Sequence, residues 1–154
     1  MIREYIHPLL DERCISFTHE SGLDVHIIPK DFSVTYALLG VRYGSLDNLF
    51  TLDGKKYRLP KGVAHFLEHK MFENPDGEDT FLKFARTGAD ANAYTTFSRT
   101  AYLFSCTEQF EKSLEILLES CFTPYFTEES INKISAELLN ACHEGFYRPD
   151  NMAL

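Results

Sequence analysis

Residues 62–72 read Gly-Val-Ala-His65-Phe-Leu-Glu68-His69-Lys-Met-Phe72, and three of them are of the types that hold and use a metal ion. His65 and His69 are four apart, a spacing that on a helix stacks two side chains one turn apart on a single face. Two neutral imidazoles so placed can grip one divalent cation, and Zn²⁺ suits nitrogen donors in tetrahedral geometry. Glu68 lies three after His65 and one before His69, so it leans over the same face without having to ligate. From there it can take a proton from water acidified by the metal and return it to a leaving amine. The plainer alternative is a pair of surface histidines on an amphipathic helix. Five residues do not by themselves separate the two.

That chemistry needs a helix, and the flanking pattern supplies one. Val63, Phe66, Leu67, Met71 and Phe72 recur at helical spacing, and Asn74-Pro75-Asp76-Gly77 stops the run. A second helix is predicted over Glu78–Thr87, with Phe81, Leu82, Phe84 and Ala85 inward and Gly88 as its C-cap. Upstream, residues 14–19, 23–28 and 33–43 alternate or are rich in β-branched and aromatic side chains and read as strands. Residues 45–60 read as a polar loop with Asp53-Gly54 at a hairpin tip. Downstream, residues 91–96 and 101–106 predict two strands around a bend at Arg99, and Glu108–Cys121 a clean amphipathic helix. Thr127 reads as the cap of a last helix carrying Ile131, Ile134, Leu138 and Leu139 and ending at Gly145 and Pro149. Residues 1–12 read as a lead-in, and Asp150–Leu154 as the start of another helix. The order of elements predicts an α+β fold: a mostly antiparallel sheet with helices packed on one face, in a single domain over residues 1–154.

Composition narrows the surroundings. The chain has 154 residues, 15 basic and 23 acidic side chains and a formal charge of −8. That balance argues against a nucleic-acid groove, which carries a basic patch, and favours a cationic partner in steering. No apolar run approaches the roughly 18 residues that a membrane span needs. Cys14, Cys106, Cys121 and Cys142 form no C-x-x-C pair, so they read as small buried hydrophobes. The N-terminal residues lack the pattern of a secretory signal, and the expectation is a reduced, cytoplasmic protein with no membrane or nucleic-acid partner.

The longer text around the motif resembles the pitrilysin/insulinase family of zinc metallopeptidases, whose signature is the inverted zincin H-x-x-E-H. Tyr43-Gly-Ser-Leu-Asp47, Pro60 through Glu73, Gly88-Ala-Asp-Ala-Asn-Ala-Tyr-Thr-Thr96, Thr100-Ala-Tyr-Leu-Phe104 and Pro124-Tyr-Phe-Thr-Glu-Glu129 all read like that family and come in its order. His69-Lys-Met-Phe-Glu73 is most similar to bacterial processing-peptidase-like members. The resemblance implies a zinc-dependent endopeptidase acting on peptides or unfolded segments, with His65 and His69 as metal ligands and Glu68 as base. It implies a third ligand, a glutamate on a later helix. Here the sequence departs: ungapped alignment from Pro124 puts Ala141 at that position. Glu137 is the favoured substitute, in text that fits if about one helical turn is lost before Ile134. Glu144, three after Ala141 and on nearly the same face, is the second candidate; His143 could also ligate, though it points off that face; and a site without a third protein ligand is the remaining alternative. The resemblance also implies that the strand holding Asn92 and Ala93 lies beside the zinc and adds an extended peptide to its edge, with Asn92 touching the substrate backbone. It implies a second homologous half or subunit as partner, and a chain truncated before the end of its domain. A non-catalytic relative serving as a partner or scaffold subunit is the other reading.

Overall fold

The computed structural model describes residues 2–127, 131 and 134–154. The chain opens with three strands paired in sequence: β1 (Arg3–His7), β2 (Glu12–Thr18) and β3 (Asp24–Ile27), each antiparallel to the next. Strand β4 (Thr35–Val41) follows, then a separate hairpin of β5 (Leu49–Leu52) and β6 (Lys55–Arg58). Two helices come next, α1 (Val63–Lys70) and α2 (Thr80–Arg86), and then β7 (Asp90–Thr95) paired with β8 (Thr100–Cys106). Helices α3 (Phe110–Phe122) and α4 (Ala136–Phe146) precede a two-residue strand, β9 (Met152–Ala153). The main sheet runs β1-β2-β3-β9-β4-β8-β7, and its one parallel contact among the described residues is β3 with β9.

Alternation along the central strands decides which face is covered. In β4, Ala37, Leu39 and Val41 are buried, and in β8 so are Tyr102, Phe104 and Cys106. These side chains share one core with Val63 and Leu67 of α1, Phe84 of α2, Leu117 and Cys121 of α3, and Leu139 and Cys142 of α4. Tyr36 and Tyr94, which point the other way, are exposed. The protein is thus the expected α+β arrangement, with helices on one face of a mostly antiparallel sheet.

Several expectations change in detail. Residues 3–7 are a strand, not a lead-in. Arg3 through Ile6 are exposed at the sheet's edge, so no burial imposed an alternating pattern on them. The helix expected from Asp150 is instead a 3-10 turn over Pro149–Asn151 followed by β9. There Met152 is buried against Val41 of β4, and Leu154 exchanges main-chain hydrogen bonds with Asp24 and His26. A two-residue strand is defined by its tertiary partners, not by local pattern. The last helix begins at Ala136, where the Ser135 hydroxyl accepts from the Leu138 N–H. The start expected at Thr127 runs into residues 128–130, 132 and 133, which lie outside the described residues. The expected hairpin tip is present: Asp53 and Gly54 both have positive φ, 49° and 78°, the conformation that a tight two-residue hairpin turn requires. Among the described residues no helix is long and apolar enough to cross a membrane.

Candidate metal centre

Helix α1 starts after Gly62, whose φ of 89° lies in the left-handed region that a side chain disfavours. Val63, Leu67 and Met71 lie four apart and are essentially inaccessible, at 1%, 0% and 2% exposure. They form the stripe that pins the helix to the sheet. At 100° per residue, His65 and His69 fall on the opposite, exposed side and Glu68 between the two. Both rings are accessible, whereas Glu68 is 6% exposed.

The two imidazoles converge. Their Nε2 atoms are 3.1 Å apart, with ring planes inclined at 64°. Two nitrogens bound to one tetrahedral zinc at its usual bond length stand about 3.3 Å apart, so the pair is already close to a shared ion's geometry. Donor atoms of His65, Glu68 and His69 all lie within 4.8 Å of one another.

Glu68 is tethered from the sheet. Thr95, the last residue of β7, donates its hydroxyl to Glu68 Oε2 at 2.7 Å. Further hydroxyl contacts lie buried nearby. Thr100, opposite Thr95, donates to the Tyr43 carbonyl at 2.9 Å, and the Tyr102 and Tyr147 hydroxyls meet at 2.7 Å. Burial pushes both of these phenols well above the ordinary tyrosine range, and the Glu68 charge pushes the same way. They stay protonated and can donate.

Asn92 and Ala93 lie on β7, which is an edge strand paired only with β8 in the described sheet. Ala93 faces the helices with Ala91, whereas the exposed Asn92 side chain lies on the other sheet face, its Oδ1 accepting from the Ala93 N–H at 2.8 Å. The structure does not bring Glu137 to the histidine pair. It sits in the first turn of α4 with its carboxylate 73% exposed and paired with Lys55 of β6 at 2.7 Å. That ammonium holds the Glu137 carboxyl below the usual carboxylate range. Glu144 is exposed, and His143 bonds through Nε2 to the Cys121 carbonyl at 2.9 Å and stacks on Tyr147. All four cysteines are free and buried, and burial raises the Cys121 thiol to about 12 and the Cys142 thiol to about 11. Sequence reasoning missed Thr95 and Tyr147. Neither belongs to the H-x-x-E-H spacing, and only strand pairing and helix docking bring them near Glu68.

With this geometry in place, likeness to known proteins becomes informative. Residues 55–145, more than half of the chain, match the family described as Insulinase (Peptidase family M16). The chain belongs to peptidase family M16. A Bacillus subtilis protein whose name reads "Uncharacterized zinc protease YmfH" is 37% identical over 204 aligned positions, which take in 100% of this chain and 47% of that protein. A Dictyostelium discoideum "Insulin-degrading enzyme homolog" is 27% identical over 143 positions, taking in 86% of this chain and 14% of its own. The crystal structure of an M16-like peptidase from Alicyclobacillus acidocaldarius superposes with a TM-score of 0.87 at 30% identity, over 97% of this chain and 46% of that one. Pitrilysin shares the fold, with a TM-score of 0.72 at 16% identity over 99% of this chain and 22% of its own. The M16 chain described here therefore spans about half the length of its Bacillus relative.

Zinc is the metal in the name of that relative. Against the donors present, the fit is good for two ligands: His65 and His69 offer converging nitrogens at a suitable separation. Glu68 stands beside them as a carboxylate steadied by a neutral hydroxyl.

Proposed function

We propose that this chain is the metal-carrying part of a zinc-dependent M16 endopeptidase that hydrolyses peptides or unfolded segments, and that it acts only when joined to a second, homologous half. The convergence of two imidazoles and a buried carboxylate on one helix carries this reading. His65 and His69 would hold the metal through Nε2. When bound, Zn²⁺ supplies Lewis acidity, polarising a scissile carbonyl and acidifying water.

The remaining work belongs to the chain's own groups. Thr95 donates to Glu68 Oε2, which leaves Oε1 the less engaged oxygen to accept a proton from the attacking water and return it to the departing amine. The edge of β7 around Asn92 and Ala93 offers main-chain donors and acceptors to an extended peptide. Such a peptide would lie alongside the strand that ends at Thr95, which brings it to the base. The four buried thiols accord with a reducing, cytoplasmic setting.

The Glu68→Gln variant tests the assignment, because it removes the base and no ligand. Assayed in a complete two-half assembly whose metal site carries all its donors, it should keep the metal and lose peptide hydrolysis. Retained cleavage would contradict the role. The chain by itself should show little or no hydrolysis. A second reading, a non-catalytic partner subunit, is favoured by one observation: Glu137 is engaged with Lys55 and not with the histidines. It predicts a stable complex whose partner's activity is indifferent to Glu68→Gln.

A further inference from the structure

A catalytic zinc site takes three protein donors and keeps one position for water. His65 and His69 supply two. Among the described residues, Glu68 completes the one group of metal-capable side chains around them, and Thr95 already engages its carboxylate. In α4, Glu137 is paired with Lys55 and Glu144 lies exposed. With Glu68 serving as base, the donor set is one short.

The alignments suggest why. The Bacillus match runs over 204 positions and this chain has 154 residues, so 50 positions find no counterpart here. The Dictyostelium match takes in 86% of the chain, about 132 residues, within 143 positions, which leaves room for about 11 unmatched ones. Any stretch of about that length must contain residues 23–132. Taking the Bacillus relative to align as compactly over that stretch as the Dictyostelium one, the bulk of the 50 falls before residue 23 or beyond 132.

Before residue 23 the chain is tightly closed. β1 and β2 pair without a break from Arg3↔Ser16 to His7↔Glu12, and the two turns are tied by Asp11 N–H to the His7 carbonyl and Gly22 N–H to the His19 carbonyl. Beyond residue 132, α4 is continuous from Ala136, and the chain after it is fixed by β9. What remains is the connection from α3 to α4. Its described part comes near one of the histidines: Tyr125 lines a cavity of about 450 Å³ together with His69, Phe72 and Phe81.

We infer that this chain lacks a segment of about 50 residues that its Bacillus relative carries between α3 and α4, and that the His65–His69 pair is in consequence a two-imidazole site, one protein donor short of a catalytic zinc centre. The inference rests on the proposed function for the identity of the metal pair. It goes beyond that reading in assigning the shortage to an internal loss beside the site, so a missing half is not the whole deficit.

Zinc affinity tests it. Competition titration of Zn²⁺ against a chromophoric chelator is run on the chain as it stands, on His65→Ala, on Glu137→Gln and Glu144→Gln, and on a form carrying the relative's unmatched segment inserted between α3 and α4. The unaltered chain should bind weakly, and His65→Ala should abolish that binding. Both Glu→Gln variants should match the unaltered chain within about twofold, since neither acid is a donor. The inserted segment should tighten binding roughly 100-fold or more, because groups outside the ligand shell are alone worth up to that factor. An unaltered chain that binds as tightly as the inserted form, or that weakens tenfold on Glu137→Gln, overturns the inference. Should the inserted form fail to fold, the unaltered chain still decides: a Kd of about 1 nM or tighter contradicts a two-imidazole site. Binding indifferent to His65→Ala would instead sink the reading of the metal pair itself.

Discussion

At His65 and His69 the separation of two ring nitrogens sets what the pair can do, and at Glu68 a single hydroxyl sets which oxygen is available. Thr95→Val removes that hydroxyl while keeping the shape of the side chain. Glu68 then loses a partner in a nearly closed site, and a buried acceptor left unpaired costs about 1–3 kcal/mol. Denaturant unfolding should show a loss of this size, and Thr95→Ser should recover most of it. Tyr147→Phe should cost a similar amount by the same reasoning, because it strips the Tyr102 hydroxyl of its 2.7 Å partner in a sealed core. Spacing alone did not separate a metal site from surface histidines, whereas the convergence of the histidines and Glu68 was legible from it, since three positions on one helix fix their own geometry. Thr95 was not, because its link to Glu68 crosses 27 positions and depends on where β7 ends against α1. Glu137 shows the limit of reading by textual likeness. Its placement depends on where α4 begins, and that start lies at Ser135.

Helix α1 can present the histidine pair and Glu68 together only while its buried stripe holds it to the sheet. Leu67 is wholly inaccessible and sits between the two histidines along the helix. Leu67→Ala should therefore destabilise the fold by about 2–5 kcal/mol, seen as a lower midpoint in urea, and it should weaken metal binding by loosening the helix. The β7–β8 turn is seated just as tightly. A Cβ added at Gly44 would lie 2.5 Å from the Phe97 main chain, where Ser45 and Leu46 donate to the Thr96 and Phe97 carbonyls. The Asp53-Gly54 hairpin, both helices around the motif and the β7–β8 pair could be read from turn residues and periodicity, because local chemistry specifies them. Strands β1 and β9 could not. One is exposed along nearly all its length, and the other is two residues that become a strand only by lying between β3 and β4.

For the molecule as a whole, stability should depend on pH through a group remote from the metal pair. Burial lowers the pKa of His143 below its ordinary 6.5, with partial opposition from the Cys121 carbonyl and Glu144. The folded state then binds fewer protons than the unfolded chain as pH falls below that value. Stability from this group is full above about pH 6.5 and declines as pH drops toward the lowered folded value. Thermal unfolding between pH 7.5 and 5 should show a falling midpoint, and His143→Gln should flatten the trend. An unchanged slope in that variant would place the dependence elsewhere. On the same scale, the helices form the core with one face of the sheet, and the histidine pair sits on the exposed side of α1, away from that core. The fold class was readable from the order of elements. The size of the proposed internal loss was not, since a chain does not display what it lacks; it follows from the length of the match to a relative.

The function proposed for this chain depends on the His65–His69 pair holding one metal ion. Its most direct test is a Zn²⁺ titration of the ¹⁵N-labelled chain, followed through long-range couplings of the imidazole nitrogens. Nε2 of His65 and His69 should shift together, with saturation at one ion per chain, while His7, His19, His26 and His143 stay in place. Nitrogens of His65 and His69 that do not respond, or a response first at any other histidine, would contradict it.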